Sequence, residues 1–280
     1  MSESKVSQPI VIPTDFTHVV EKAIDHAVMI ARQLNNSILF LHVVESEKDK
    51  AESDQKLQTL AERTQATFGI ECAFETAIGS YFTEIGRVAS EQKASYVVMG
   101  THGIRGIQKF IGSYALRVIT NSESPFIVVQ EKEAPSGYHN IVIGIDFEKE
   151  DKQKVVWASK IAQTFSSKVH IISAYESDEF SRNKVEMNVA WAKGYLKEHE
   201  VAFEIHELDK NSASLGKEVI RYAVKNNIDL IVAMTTLEKG LSEFLFGPEE
   251  QYMIANEPMI PVMCFNPIDF TVNNASITAH

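Results

Sequence analysis

Two segments of the sequence contain residues that could bind a phosphate-bearing ligand. The run Gly100-Thr101-His102-Gly103 is followed by Gly112-Ser113, where a helical pattern begins. Glycines let the backbone approach phosphate closely, and the amide groups at a helix start attract an anion. The second segment is Pro13-Thr14-Asp15, which follows the apolar residues Ile10-Val11-Ile12. Together they would suit a nucleotide polyphosphate, although glycines also serve tight turns.

Each of these residues also has a purely structural interpretation. Asp15 could cap a helix that starts near His18, and Ser113 could cap the helix after the loop. His102 could act as an acid or base beside phosphate, or it could stabilise a turn or face solvent. We favour ligand binding for the set, because the strand end and the loop should meet at one crevice of a parallel sheet.

The overall composition is that of an ordinary globular protein. Of the 280 residues, 44% are apolar and 23% are charged, which argues against a disordered or fibrous chain. The length is sufficient for two domains. The formal net charge of -11 disfavours sequence-independent binding to nucleic acid or to anionic lipid. We therefore expect no nucleic-acid partner and no membrane partner.

The sequence shows no sign of export or of a metal site. Its first residues are polar, and no apolar run approaches the roughly 18 residues that span a bilayer. Cys72 and Cys264 lie far apart in apolar surroundings, which is typical of buried thiols in a reducing compartment. No His-Glu-x-x-His motif and no Cys/His cluster has zinc spacing. We expect a cytoplasmic protein.

An internal repeat organises the chain. The segment 10–16 returns at 141–147 with an offset of 131 residues, and Phe110-Ile111-Gly112 returns as Leu245-Phe246-Gly247 with an offset of 135 residues. The join should fall near Glu131 to Tyr138, where charged residues mix with Pro and Gly. We therefore predict two domains of one kind, at residues 1–133 and 138–267.

Within each copy, short apolar runs alternate with amphipathic segments of helix length. In the first copy this predicts strands at 10–14, 37–44, 71–76, 95–99 and 126–129, and helices at 19–34, 48–67, 81–92 and 113–121. In the second copy it predicts strands at 140–145, 168–174, 202–208, 229–234 and 261–265. Such alternation is typical of parallel strands with right-handed crossovers. Each copy should be a Rossmann-like α/β domain, a five-stranded parallel sheet flanked by helices.

The chain resembles the universal stress protein family in its tandem, two-domain form. The motifs that carry the resemblance are Pro13-Thr14-Asp15, Leu41-His42-Val43-Val44, and Val98-Met99-Gly100-Thr101-His102-Gly103 with Gly112-Ser113. The resemblance covers nearly all of the chain and implies the adenine nucleotide alpha hydrolase-like form of the fold. Eight residues separate Gly103 from Gly112, one fewer than in the family pattern that accompanies ATP binding.

The resemblance implies that the first copy binds ATP, with or without Mg²⁺. It implies that Asp15 accepts a hydrogen bond from the adenine amino group or the sugar, and that the backbone at Val43 contacts the adenine edge. Loop amides and the Ser113 hydroxyl would bind the phosphates. The candidate binding residues are Pro13, Thr14, Asp15, Val43, Met99, Gly100, Thr101, His102, Gly103, Gly112, Ser113 and Tyr114.

The second copy keeps the strand-end aspartate, Asp146, but has a different loop. Thr235 and Glu238 stand at the positions of the first two loop glycines, and Pro248 stands at the position of the loop serine. These changes add bulk and a carboxylate, and they remove an amide donor and a hydroxyl. We expect this copy not to bind ATP in the family manner, and we favour a structural role for it over a different ligand.

The sequence favours a protein that is not an enzyme. It contains no Walker A motif and no Ser-Gly-Gly-x-Asp-Ser pyrophosphate loop. We expect a stress-response regulator whose ATP-bound state alters a surface for a protein partner that the sequence does not identify. The alternative is a slow ATPase or phosphotransferase that uses the same loop, and a weaker option is a scaffold that binds no nucleotide.

The fifth strand of each copy, at 125–129 and 261–265, is apolar throughout and should lie at a sheet edge that needs a cover. Single-domain members of the family dimerise through this strand. The resemblance therefore implies an intrachain pseudo-dimer through Phe126 to Val129 and Val262 to Phe265. A homodimer of whole chains through another surface stays open.

Overall fold

The computed structural model describes residues 8–101, 111–237, 244–245 and 247–267, and their fold alternates strands with helices. The strands are β1 (Ile10–Pro13), β2 (Ile38–Val44), β3 (Cys72–Ile78), β4 (Tyr96–Gly100), β5 (Phe126–Val129), β6 (Asn140–Ile145), β7 (Lys168–Ser173), β8 (Ala202–Glu207), β9 (Leu230–Met234), β10 (Thr236–Leu237), β11 (Phe244–Leu245) and β12 (Val262–Phe265). The helices are α1 (Val19–Leu34), α2 (Lys50–Phe68), α3 (Tyr81–Glu91), α4 (Ile111–Thr120), α5 (Asp151–Phe165), α6 (Glu179–Glu198), α7 (Leu215–Lys225) and α8 (Pro248–Ile254).

Ten of these strands form a single sheet. Their order is β3-β2-β1-β4-β5-β12-β9-β6-β7-β8, so each half repeats the same order of five parallel strands. Helices cover both faces, which confirms the expected α/β architecture. The pair β10 and β11 forms a separate antiparallel ribbon that the sequence patterns did not predict.

The two fifth strands meet in the middle of the sheet. β5 pairs antiparallel with β12, and Val128 lies opposite Val262 while Ile127 lies opposite Met263. These four side chains are 0 to 2% exposed. The expected contact between the fifth strands is thus present as backbone pairing, and it fuses what the sequence suggested as two sheets into one.

Two apolar layers lie on opposite faces of this sheet, because successive strand residues point to opposite faces. Ile10 and Ile12 belong to the layer that packs against α1, α2, α5 and α6, whereas Val11 belongs to the layer against α3, α4, α7 and α8. Each layer continues across the junction, since Ile127 contributes to the first and Val128 to the second. The core is therefore shared by both halves.

Helix ends are set by local backbone chemistry. α1 stops at Asn35, whose φ of 55° is left-handed and whose N–H donates to the carbonyl of Ala31. α2 stops at Gly69 in the same way, with φ of 70°. α3 starts at Ser80, whose hydroxyl accepts a hydrogen bond from the N–H of Phe82.

Among the described helices, none has both the length and the apolar character required to cross a membrane.

Polar contacts also join the two halves. Tyr138, from the segment expected to be a linker, is fully buried, and its hydroxyl is hydrogen-bonded to Nδ1 of His26 at 2.9 Å. Burial, with a smaller contribution from Lys22, lowers the pKa of His26 to about 4. On the other face of the sheet, Nδ2 of Asn266 donates to the carbonyl of Ile119 at 2.8 Å. The junction is therefore tied on both faces.

Candidate functional site

Three of the predicted binding residues, Asp15, Val43 and Gly100, lie at the carboxyl ends of adjacent strands. β1 lies between β2 and β4, and Asp15 follows β1 while Thr101 follows β4. The chain passes from β1 to one side through β2 and then returns to the other side through β4. This is the point where strand order reverses, and ligands of open α/β sheets bind in the crevice there.

The Asp15 side chain is exposed at this edge. Its Oδ1 accepts hydrogen bonds from the N–H of Thr17 at 3.0 Å and from the Thr17 hydroxyl at 2.6 Å. Asp15 thus organises the turn before α1, but the residue in the capping position of that helix is His18. The Oδ2 atom makes no hydrogen bond to any other described residue, which leaves it available to a donor.

The turn that carries Asp15 is held by neighbours on both sides. Thr14 is buried, and its hydroxyl accepts a hydrogen bond from the N–H of Phe16 at 2.9 Å. Nδ1 of His42 donates to the carbonyl of Thr14 at 2.6 Å, and its ring lies 4.7 Å from that of Phe16. Phe16 has a φ of 62°, which a bulky residue rarely adopts. Sequence reasoning did not select Phe16 or His42 as site residues, although His42 lies within a motif that carried the resemblance.

Val43 is half-buried on β2, just beyond the end of β1. The pairing of β1 with β2 ends at Pro13 opposite Leu41, and the N–H of Thr14 donates to the carbonyl of Leu41 at 2.9 Å. Past Leu41, the β1-facing edge of β2 has no strand partner among the described residues. A backbone edge open toward the crevice can contact the donor and acceptor pattern of a planar ligand.

Gly100 ends β4 directly against the start of α1. A Cβ atom at this position would lie 2.6 Å from Cγ1 of Val19 and 3.0 Å from its carbonyl oxygen. The next residue, Thr101, is fixed by its N–H, which donates to the carbonyl of Val129 at 2.8 Å. Only glycine fits at position 100 without a shift of the helix.

Met99 lies beneath the crevice, and Tyr81 at the start of α3 contacts it. Met99 is 3% exposed, and its sulfur accepts the Tyr81 hydroxyl at 3.7 Å. Burial, followed by the nearby charge of Asp15, raises the pKa of Tyr81 to about 12, so the hydroxyl keeps its proton. Sequence reasoning assigned Tyr81 only to a helix start, because no local pattern relates it to Asp15.

The remaining predicted residues belong to the loop after β4. His102 and Gly103 lie outside the described residues. Gly112, Ser113 and Tyr114 are in the first turn of α4, which begins at Ile111, two residues before the predicted start. The structure describes the backbone of these three residues, and a helix start at this point is where amide groups would meet an anion.

The corresponding edge of the second half has different contacts. Oδ1 of Asp146 accepts from the N–H of Glu148 at 2.7 Å, and the N–H of Asp146 donates to Oδ2 of Asp151 at 2.6 Å. Met234 ends β9 opposite Phe265 as Gly100 ends β4 opposite Val129, so Met234, and not Thr235 as expected, stands at the position of the first loop glycine. Thr235 corresponds to Thr101 and is fully buried, and its hydroxyl donates to Oδ1 of Asn266 at 2.7 Å. Glu238 lies outside the described residues.

Among the described residues, no group of three or more His, Cys, Asp or Glu side chains is arranged to hold a metal ion. The residues of the first half that could hold a cofactor are the strand-end and loop residues described above. Their chemistry, a carboxylate, an open strand edge and a helix start, fits an organic ligand that carries an anionic group.

Comparison with known proteins gives one consistent family. The model of the universal stress protein family matches residues 7–130 and 137–265. A universal stress protein of Methanocaldococcus jannaschii is 31% identical over 139 residues, which cover 44% of this chain and 81% of the relative. A solved universal stress protein of Archaeoglobus fulgidus has a TM-score of 0.74 at 17% identity, covering 94% of this chain and 99% of that one. A solved Pseudomonas aeruginosa protein has a TM-score of 0.65 at 16% identity, covering 93% of both chains. Both solved structures extend over the two halves, at identities that speak for the fold alone.

Proposed function

This chain belongs to the universal stress protein family, and we propose that its N-terminal half binds ATP and that the protein acts as a non-catalytic regulator. The observation that carries the proposal is the meeting of three features at one crevice. They are the Asp15 carboxylate, the open backbone edge of β2 at Val43, and the close approach of β4 to α1 at Gly100. The residues proposed to contact ATP are the twelve candidates predicted from the sequence: Pro13, Thr14, Asp15, Val43, Met99, Gly100, Thr101, His102, Gly103, Gly112, Ser113 and Tyr114.

The chemistry at the described part of the crevice supports binding rather than turnover. Asp15 is engaged with Thr17, and Tyr81 holds its proton to high pH. His42 is directed to the carbonyl of Thr14. Asp15 and His42 position the turn before α1, and we propose that the second carboxylate oxygen of Asp15 serves a ligand donor rather than an attacking water molecule, which an ATPase would require.

We also infer how the chain is organised. The domains at 1–133 and 138–267 act as an intrachain pseudo-dimer through β5 and β12. The protein acts in the cytoplasm, and Mg²⁺ accompanies ATP where it is present. ATP binding would alter a surface for a protein partner. The second half would not bind ATP, because Met234 stands where the first half has Gly100, and Glu249 and Glu250 bring carboxylates to the start of α8.

Calorimetric titration with ATP tests the proposal through a matched pair of variants. Asp15→Asn keeps the acceptor atom for Thr17 but loses the charge, and it should weaken binding about tenfold or more, since hydrogen bonds to charged groups contribute about 1.5 to 3 kcal/mol. Asp146→Asn makes the same change in the second half and should leave one site per chain with unchanged affinity. Two equivalent sites per chain, or equal losses in both variants, would contradict the proposal.

A single-turnover assay with labelled ATP separates this function from the ATPase alternative. We expect ATP to remain intact on the protein. Turnover above about one per second, the lower end of ordinary enzyme rates, that disappears in His102→Ala would instead support a slow ATPase or phosphotransferase.

A further inference from the structure

A second cavity opens at the carboxyl ends of β6, β7 and β8, in the half that lacks the family's loop. Its volume is about 340 Å³, and it is bounded on one side by the start of α7. Small-molecule sites in proteins have volumes of about 300 to 1,000 Å³. The cavity therefore has room for a small organic ligand, and its lining determines which kind.

Two aromatic residues line this cavity and are partly exposed. Phe147 follows β6 and is 37% exposed, and Tyr175 follows β7 and is 44% exposed. Large aromatic side chains at adjacent strand ends provide flat, electron-rich faces. Such faces attract ammonium groups, most strongly when the cation is weakly hydrated.

One backbone donor that could hold an anion, at the start of α7, is already occupied by a carboxylate of the protein. Oε2 of Glu249 accepts a hydrogen bond from the N–H of Gly216 in the first turn of α7 at 2.6 Å. A phosphate group at this N–H would have to displace the Glu249 side chain.

A cation near Asp146 is also neutralised by a carboxylate of the protein. Nζ of Lys154 lies 2.6 Å from Oδ1 of Asp151, whose side chain is buried, and 12% of the Lys154 side chain is exposed. Burial alone would lower the pKa of Lys154, but the charges of Asp151 and Asp146 outweigh it and raise the pKa. Lys154 is therefore charged, but that charge is balanced before any ligand arrives.

The charge left at the cavity surface is negative. Among the described lining residues are the carboxylates of Asp146, Glu176, Asp209 and Glu249 and one lysine, Lys210. Combined with the aromatic residues and the occupied N–H of Gly216, this charge disfavours phosphate. We propose that the cavity of the second half binds a small organic cation of the alkylammonium class, with its charged group against Phe147 and Tyr175 and near Asp209.

Choline and its neutral isostere 3,3-dimethylbutan-1-ol test this proposal, because they share a shape and differ in charge. Calorimetry on the full chain at low ionic strength should give saturable choline binding, and the neutral alcohol should bind at least about tenfold more weakly. Tyr175→Ala should weaken choline about fivefold or more, and Tyr175→Phe, which keeps the aromatic face, should restore it. Equal affinity for the two probes, or no saturable choline binding, would overturn the proposal.

Three controls distinguish the cavity from diffuse attraction to an acidic protein. Asp209→Asn should weaken choline severalfold, whereas Glu186→Gln, an exposed carboxylate on α6, should not. Asp15→Asn should weaken ATP and leave choline unchanged, so failure of the ATP proposal and failure of this one give different results. Equal effects of Asp209→Asn and Glu186→Gln, or displacement of choline by ATP, would contradict a separate cation site.

Discussion

Gly100→Ala tests the close approach between the end of β4 and the start of α1. The added Cβ would lie 2.6 Å from Cγ1 and 3.0 Å from the carbonyl oxygen of Val19, whereas unstrained contacts between carbon atoms are about 3.5 to 4.0 Å. Val19 is β-branched and therefore held in one rotamer within a helix. Its carbonyl belongs to the first turn of α1, so the helix start itself must move.

The expected loss of stability follows from the atoms that must move to make room for the added methyl group. A methyl group forced against a packed backbone costs about 1 to 3 kcal/mol, and the contact here involves both a side chain and a main-chain oxygen. We therefore expect the free energy of unfolding to fall by about 2 kcal/mol. Because Asp15 lies only four residues before Val19, movement of the helix start should also shift Asp15 and lower the affinity for ATP.

Urea titration followed by circular dichroism measures the change, and Gly194→Ala is the matched control. Gly194 lies inside α6, and a Cβ there would meet no atom within 4 Å. Alanine at that position should stabilise the protein by about 0.5 to 1 kcal/mol. If Gly100→Ala unfolded at the same urea concentration and with the same slope as the parent protein, the packing argument would be refuted.

Three further outcomes are expected. The free energy of unfolding should decrease by about 3 kcal/mol as pH falls from about 6.5 to about 4. The reason is that buried His26, with its pKa near 4, stays neutral in this range, whereas the same residue in the unfolded chain takes up a proton. In His26→Gln, the free energy of unfolding measured by urea titration should change less over this pH range. Val128→Asp should cost about 3 kcal/mol or more by burying a charge opposite Val262, while Val224→Asp, at a site that is 53% exposed, should change the urea midpoint little. Glu249→Ala should cost about 1 kcal/mol in the same titration by leaving the N–H of Gly216 without its acceptor.

Local patterns were sufficient to locate most of the secondary structure. Buried strands such as β4 and β5 are short runs of apolar residues, and α1 and α3 carry apolar residues at helical spacing. The offsets between Asp15 and Asp146 then revealed that the architecture is repeated. The pairing of β5 with β12 was expected only through the family resemblance, since an apolar strand does not itself specify its partner.

The parts that local patterns could not predict depend on contacts between distant residues. Glu249 stands in the first turn of α8, where an acidic residue ordinarily stabilises its own helix, yet its carboxylate binds the N–H of Gly216 in α7. The sequence pattern places Tyr138 in a linker, but in the structure Tyr138 is buried in the core that both halves share. The cavity beside Phe147 and Tyr175 is likewise a product of how three strand ends and α7 are arranged.

The antiparallel pairing of β5 with β12 has a consequence for how the protein behaves on dilution. Both strands belong to one chain, and residues 130–139 connect the end of β5 to the start of β6. Short tethers give effective concentrations on the order of millimolar, so the junction does not depend on mass action between separate molecules. Every chain therefore carries its two unlike crevices in a fixed one-to-one ratio. At low protein concentration the two halves stay paired within the chain, whereas two separate subunits would dissociate.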